Sequence, residues 1–239
     1  MSRKQIGFIG LFIIVVIGIV VYLIERMHVP AAFLAEEKIL AALSKDSEDT
    51  ELQDKIQIDE ETYFVPYVSE GNRYGKSIWK WLSGDWEMVS ESEATGPSIL
   101  QGESEKYIYW NIHPEDEVKE LEFYLIRDRN YSVSYPDFEN ESTLYLPHLQ
   151  VSHTVETGDK TYGFAKFPSD LEEISEALQT NQEMSQGILP SNIYTYRWQA
   201  LNADGERKEL EETRRGGGGG SHTGNYVQFM SELNEGELE

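Results

Sequence analysis

Residues 6–24 read IGFIGLFIIVVIGIVVYLI, a run of nineteen without a charge. At about 1.5 Å rise per residue such a run spans roughly 28 Å as a helix, close to the hydrocarbon thickness of a bilayer. A helix satisfies its own backbone polar groups, which a segment in lipid has to do. The run therefore predicts a transmembrane helix. Ile6, Phe8, Leu11, Phe12, Val15, Ile19 and Ile24 give it its lipid-facing bulk, and Tyr22 sits near one end, where the headgroup region favours an aromatic with a polar tip. Arg3 and Lys4 precede it, and an acidic chain follows. The positive-inside tendency leaves residues 1–5 cytoplasmic and sends the rest outside. A cleaved signal peptide usually has a shorter apolar core, so an uncleaved signal anchor is the expectation.

Charge narrows the partners. Lys and Arg number 20 against 43 Asp and Glu, a net charge of −23. Nucleic-acid phosphates and anionic lipid headgroups both ask for basic residues, so neither is expected as an electrostatic partner. The expected partners are the bilayer, through one helix, and a protein at the cell surface. Cysteine is absent, which removes disulfides, thiolate metal sites and cysteine nucleophiles. That absence suits an exported domain of a bacterial cell envelope.

Beyond the anchor, Phe33, Leu34, Ile39, Leu40 and Leu43 fall on one helical face and predict a juxtamembrane helix over about 31–45. Acidic residues crowd 46–62 and predict a solvated spacer. The expected organisation is a cytoplasmic 1–5, an anchor 6–24, a juxtamembrane helix and spacer 25–62, an external domain 63–213 and a linker with tail 214–239. In the external domain KSIWKWL (76–82) reads as a short helix. Val118 to Ile126 alternates at period two, the mark of a half-buried strand. Residues 131–135, 142–146, 149–155 and 161–167 are rich in aromatic and β-branched residues, which suit strands. Thr157-Gly158-Asp159 and Asn202-Ala203-Asp204-Gly205 read as hairpin turns. Pro168-Ser169 opens one inserted helix through Leu171, Ile174 and Leu178. The fold class is thus membrane-anchored and mainly β (α+β), with an antiparallel meander, barrel or sandwich interrupted by one helix.

No motif assigns a chemistry. Gly71 to Ser77 places three residues between its glycines where a phosphate loop needs four. Ser77-Ile78-Trp79-Lys80 fits S-x-x-K, the nucleophile pair of penicillin-recognising enzymes, but no K-T-G accompanies it. His113-Pro114-Glu115-Asp116-Glu117 concentrates donor atoms without the order of a calcium loop. No catalytic residue, cofactor or metal is therefore expected. Gly84-Asp85-Trp86 resembles the G-x-W that opens the first strand of lipocalin-like barrels. That resemblance implies a barrel closed at one end by the Trp, with a cavity for a small apolar ligand and no catalytic residue. The expected function is an external binding, accessory or protection protein of the cell envelope that holds a protein. The alternatives are such an apolar-ligand carrier and a surface hydrolase using paired carboxylates.

Gly216 to Gly220 predict a flexible linker. After it comes an apolar island, with Tyr226, Val227, Phe229 and Met230, expected to dock as an added edge strand or on a partner. The topology is directly testable. Protease outside intact cells is expected to destroy epitopes after residue 60 and spare the extreme N-terminus. Protection of the C-terminal tail would overturn the orientation.

Overall fold

The computed structural model describes residues 15–17, 29–43, 49–102, 105–137, 140–184 and 194–237. Of the anchor positions, Ile6, Phe8, Leu11, Phe12, Ile19, Tyr22 and Ile24 lie outside the described residues. Val15 is helical and exposed. Among the described residues no helix is long and apolar enough to cross a membrane.

The described strands form mainly antiparallel sheets. Sheet A joins β1 (Glu51–Leu52), β2 (Ile56–Asp59), β3 (Thr62–Ser69), β4 (Arg73–Leu82), β5 (Asp85–Glu93) and β15 (Gly219–His222). Sheet B has the order β12 (Tyr162–Lys166), β7 (Lys106–Asn111), β6 (Ser98–Gln101), β16 (Val227–Phe229). Sheet C has the order β11 (Leu149–Glu156), β8 (Glu120–Arg127), β13 (Thr195–Leu201), β14 (Arg207–Lys208), with β17 (Ser231–Glu232) parallel to β13. β9 (Asn130–Asp137) and β10 (Asn140–Leu146) pair only with each other in the described ladders. Among the described residues the helices α1 (Glu36–Ala42) and α2 (Ser169–Met184) accompany them.

Sheet B is the middle layer, and β7 shows why. Ile108 and Trp110 point one way, into a core with Leu121, Phe123 and Leu125 of β8, Trp198 of β13, and Leu171 and Leu178 of α2. Tyr109, from the alternate set, points the other way onto Phe64, Ile78 and Val89 of sheet A, with Tyr107 packed alongside. Period-two alternation in which both sets are apolar demands cover on both faces, so three sheets stack. Asn111 carries the alternation to its end, donating from Nδ2 to the Gly75 and Tyr67 carbonyls of sheet A at 2.6 and 3.1 Å. A filled three-layer stack replaces the closed barrel that Gly84-Asp85-Trp86 implies. Those residues turn β4 into β5 at the end of a strand, and Trp86 packs under the N-terminal segment, its Nε1 donating to the Ala31 carbonyl at 3.0 Å.

Several expectations are corrected. KSIWKWL is part of strand β4, not a helix. Trp79 and Trp81 share one face of sheet A, while Lys76, Ile78 and Lys80 share the other. The 31–45 helix shortens to α1, which lies on the outer face of sheet A. There Ile39 is fully buried with Val65 and Trp79, and Phe33 stacks on Tyr63 at 3.9 Å between ring centroids. The acidic stretch before Tyr63 is not all spacer. Leu52, Ile56 and Ile58 pack with the apolar residues of sheet A, so the folded edge begins earlier, at β1 and β2; residues 44–48 lie outside the described residues. Thr157-Gly158-Asp159 is not a hairpin turn, because β11 pairs with β8 and β12 with β7. The segment crosses between sheets C and B. Asn202 to Gly205 does turn β13 into β14.

The glycine run is likewise not simply a linker. Gly216 and Gly217 turn with φ of +78° and +81°, a region that only glycine adopts freely, and Gly219 and Gly220 then pair with Glu93 and Ser92 of β5. The chain continues through β16 on the edge of β6 and β17 on the edge of β13. One C-terminal segment thus borders sheets A, B and C in succession. Val227 and Leu233 are buried, and Met230 packs on the core between sheets B and C. Arg197 forks onto Glu237, with Nε and Nη2 donating at 3.0 and 2.9 Å to Oε1. Removing residues 216–239 strips the buried Val227 and Leu233, each contributing about 1.5–3 kcal/mol on burial, and the partly buried Tyr226 and Met230. We expect that truncation to lower the melting temperature by more than about 10 °C, read by calorimetry. An unchanged transition would show the tail to be ornamental.

Candidate functional site

Strand β5 positions the groups that stand out chemically. A strict alternation along DWEMVSESE would place Glu87, Val89, Glu91 and Glu93 on one face. The ladder to β4 slips by one residue at Val89, with Ile78 opposite Ser90 and Trp79 opposite Met88. Val89 faces the core between sheets A and B, and the bulge after it turns Glu91 and Glu93 to the outer face. Both carboxylates are buried. The Tyr67 hydroxyl donates to Glu91 Oε1 at 3.1 Å, and Ser69 Oγ donates to Glu93 Oε1. Arg73 Nη2 lies 2.9 Å from Glu93 Oε2 and also donates to the Gly217 carbonyl at 2.9 Å, so it latches the glycine strand to the sheet. Burial, with Glu91 and Glu93 adding to it, holds the Tyr67 phenol far above its usual range, so it stays a donor. α1 and Phe33 cover the Trp79 end of this outer face; the Glu93 end is left to the glycine strand.

The glycine strand separates two hollows. On the outer side a cavity of about 200 Å³ is lined by Tyr67, Arg73, Glu91, Glu93 and strand residues 219–221. On the other side a cleft of about 580 Å³ lies among Ala94 to Ser98, Trp198, Arg214, Phe229, Met230 and Glu232. Arg214 there sits 5.7 Å from the Trp198 ring and pairs with Glu232 at 2.6 Å. The strand's entry is fixed by Asp116, whose buried carboxylate accepts from Glu212 N, Thr213 N and Thr213 Oγ1 at 2.5 to 2.9 Å. His113 joins the same anchor through its backbone N–H to Thr213 Oγ1 at 2.8 Å. The acidic stretch 113–117 is thus structural here. Among the described residues no group of three His, Asp or Glu converges as for a metal ion.

Behind the cleft, Lys76 is buried between sheets A and B. Its Nζ donates to Thr95 Oγ1 at 3.1 Å and to the Gly96 carbonyl, both at the cleft wall, and sits 5.5 Å from the Tyr109 ring. Burial disfavours the ammonium and brings its pKa down to about 7. The S-x-x-K pair is not assembled. Ser77 and Lys80 lie on opposite faces of β4, Ser77 donating to the Val65 carbonyl and Lys80 to Thr62 Oγ1. Of the tail residues singled out in the sequence, Val227 is buried, Tyr226 and Met230 are half-buried, and Phe229 is exposed beside the cleft, its ring 5.2 Å from His222.

Sequence reasoning missed Glu91, Glu93, Tyr67 and Arg73. The period-two acids of SESE were a signal, but only the bulge decides which face they take. Comparison with protein-family models, curated proteins and solved structures gives no match to this chain, so its function is argued from its own geometry.

Lys76 yields a pH prediction. Its folded pKa lies near 7 and its unfolded one near 10.5, so between these values the unfolded chain binds the extra proton. Stability from this group therefore rises with pH over that window, by about 1.4 kcal/mol per unit at most. In Lys76→Met that contribution is absent. Denaturation of both proteins at pH 7.5, 8.5 and 9.5 is expected to show the wild type gaining on the variant at each step. Parallel profiles would refute the lowered pKa of the buried Lys76.

Proposed function

We propose that this chain is a single-pass membrane-anchored protein of the cell envelope whose external acidic domain binds a basic protein, in an accessory or protective role. The observation that carries the reading is the β9–β10 hairpin. Its register sets Tyr131 opposite Tyr145 and Val133 opposite Thr143, so these four share one face. All four are exposed, Tyr131 by 65% and Tyr145 by 56%. A two-stranded hairpin is marginal by itself in water, and an exposed aromatic face on one is uncommon unless it meets another surface. Tyrosine buries a large area with few torsions, which is why it recurs in protein-binding patches. The net charge of −23 supports a basic partner, which complementary fields would steer to the domain. The apolar run at residues 6–24 supports the membrane location.

Phe64, Ile78, Val89 and Tyr109 pack between sheets A and B, and Trp110, Phe123 and Trp198 between sheets B and C, so the barrel-type carrier is the weaker reading. Glu91 and Glu93 are a pair of carboxylates, but they are buried on β5 beside the glycine strand and engaged by Tyr67, Ser69 and Arg73, so the hydrolase reading is also weaker.

The reading is tested in cells with a photo-crosslinking residue placed at Tyr145, at Tyr131 and, as control, at the exposed Glu87 of β5. Discrete adducts from the two hairpin sites alone are expected, and they should weaken as salt is raised. Adducts no stronger at the hairpin than at Glu87 would reject it.

A further inference from the structure

The cleft on the other side of the glycine strand takes its lining from parts of all three sheets. Its volume of about 580 Å³ falls in the range of small-molecule sites. Trp198 of β13, Phe229 of β16, Met230 after it and Pro97 between β5 and β6 supply the apolar lining. Internal contacts hold that lining in place. Lys76 donates to Thr95 Oγ1 and to the Gly96 carbonyl, a Cβ at Gly96 would run into the Trp198 ring, and Trp198 Nε1 donates to the Met230 carbonyl at 3.2 Å. Phe229 nevertheless stays 38% exposed. The charged side chains lining the cleft are Arg214 and Glu232. Glu232 faces a guanidinium at each oxygen, Arg207 Nη2 at 3.3 Å from Oε1 and Arg214 Nη1 at 2.6 Å from Oε2. One carboxylate thus serves two cations. It meets Arg214 at Nη1, and among the described residues the Nε and Nη2 edge of Arg214 has no hydrogen-bond partner. The same guanidinium is held 5.7 Å from the Trp198 ring.

We propose that this cleft binds a small monocarboxylate with an apolar body, its carboxylate on the Nε and Nη2 edge of Arg214 and its body against Phe229, Met230 and Pro97. Two parallel N–H donors on one planar edge match the two oxygens of a carboxylate, and such forked pairs are the stronger charge-assisted hydrogen bonds. The ion pair to Glu232 and the Trp198 ring already order the guanidinium, so less side-chain entropy is lost when a ligand arrives. The apolar body covers the exposed Phe229 ring and gains from the area it removes from water. A single negative charge suits the site better than a phosphate, because a chain of net charge −23 repels a multiply charged anion more strongly. This ligand is separate from the protein partner of the hairpin, and its cleft opens at the edges of the sheets, unlike the barrel interior that Gly84-Asp85-Trp86 implies.

The full chain in a neutral detergent is titrated with 3-phenylpropionate, with its neutral amide 3-phenylpropionamide, with acetyl-phenylalanine and with inorganic phosphate, each up to about 20 mM, while amide resonances of Gly96, Gly217 and Ser231 are followed. Saturable shifts with 3-phenylpropionate are expected. Binding of the amide is expected to be about tenfold weaker, a difference of about 1.4 kcal/mol. Arg214→Gln should weaken the acid by a similar factor and leave the amide unchanged, while Glu87→Gln, on a distant part of β5, changes neither. The comparison of acid with amide uses the unaltered chain, so it decides the matter even where Arg214→Gln folds less well. Absence of saturable shifts, or equal binding of acid and amide, overturns the proposal. Tighter binding of acetyl-phenylalanine also overturns it, by moving the ligand to the C-terminus of a peptide, and tighter binding of phosphate overturns it by leaving an anion site without use for an apolar body.

Discussion

A sheet that is apolar on both faces cannot stand against water on either, and the middle sheet of this domain is such a sheet. Tyr107, Ile108, Tyr109 and Trp110 follow one another in β7, two of them packed toward each neighbour. Each face has to remove several aromatic and aliphatic side chains from water, at about 25 cal/mol per Å² of apolar area. That requirement draws sheet A to one side and sheet C with α2 to the other. Stacking three sheets leaves open edges at one side of the stack, and open edges invite pairing with other chains. The C-terminal segment meets this by lying along β5, β6 and β13 in turn. Val227 and Leu233 fix it at two points of burial. The glycines ahead of them let it pass from layer to layer without side chains in the way.

Charge inside the stack follows from the same alternation. β4 and β5 have to serve a core on one face and α1 on part of the other. Lys76 and Lys80 flank Ile78 on the inner face, so two lysine side chains enter an apolar layer. Each is answered by hydroxyl and carbonyl oxygens and by an aromatic ring: Thr95, Gly96 and Tyr109 for Lys76, and Thr62 and Tyr226 for Lys80. The bulge at Val89 does the reverse for Glu91 and Glu93, keeping them out of the layer that already holds the lysines. Had the ladder run on without it, the two glutamates would have faced the core and Val89 with them.

How far the sequence could be read depended on whether a pattern was local. The alternation from Val118 to Ile126, the turn at Asn202 to Gly205 and the helix after Pro168 were legible, because each is decided by its own residues. β4 was misread because Trp79 and Trp81, one turn-like spacing from Lys76 and Lys80, satisfy a short amphipathic helix as well as a strand; only pairing with β3 and β5 separates the two. Leu52, Ile56 and Ile58 were hidden among acids, where charge density outweighed a three-residue alternation. Thr157 to Asp159 had the chemistry of a hairpin turn, yet the neighbours of β11 and β12 are chosen by burial across sheets. The outer cavity was out of reach for a related reason. Its four principal side chains come from β3, β4 and β5, and their meeting depends on a one-residue slip that no local pattern announces.

The glycine strand borders the outer cavity. As an edge strand it contributes backbone pairing to β5 and almost nothing else: residues 219–222 are all exposed, and ordering glycines costs more conformational entropy than ordering any other residue. A valine or threonine at Gly219 would suit a strand better and meets no steric bar. A more bulky residue there would also occupy the space above Glu93. At Gly218 the case differs, since a Cβ would press to 2.1 Å from the Ala94 carbonyl oxygen, and glycine is imposed by packing. Gly216 and Gly217 by their positive φ, and Gly218 and Gly220 by packing, are held to glycine, while Gly219 is not. The unforced one lies beside the two buried carboxylates, at the point where Arg73 ties the strand to the sheet.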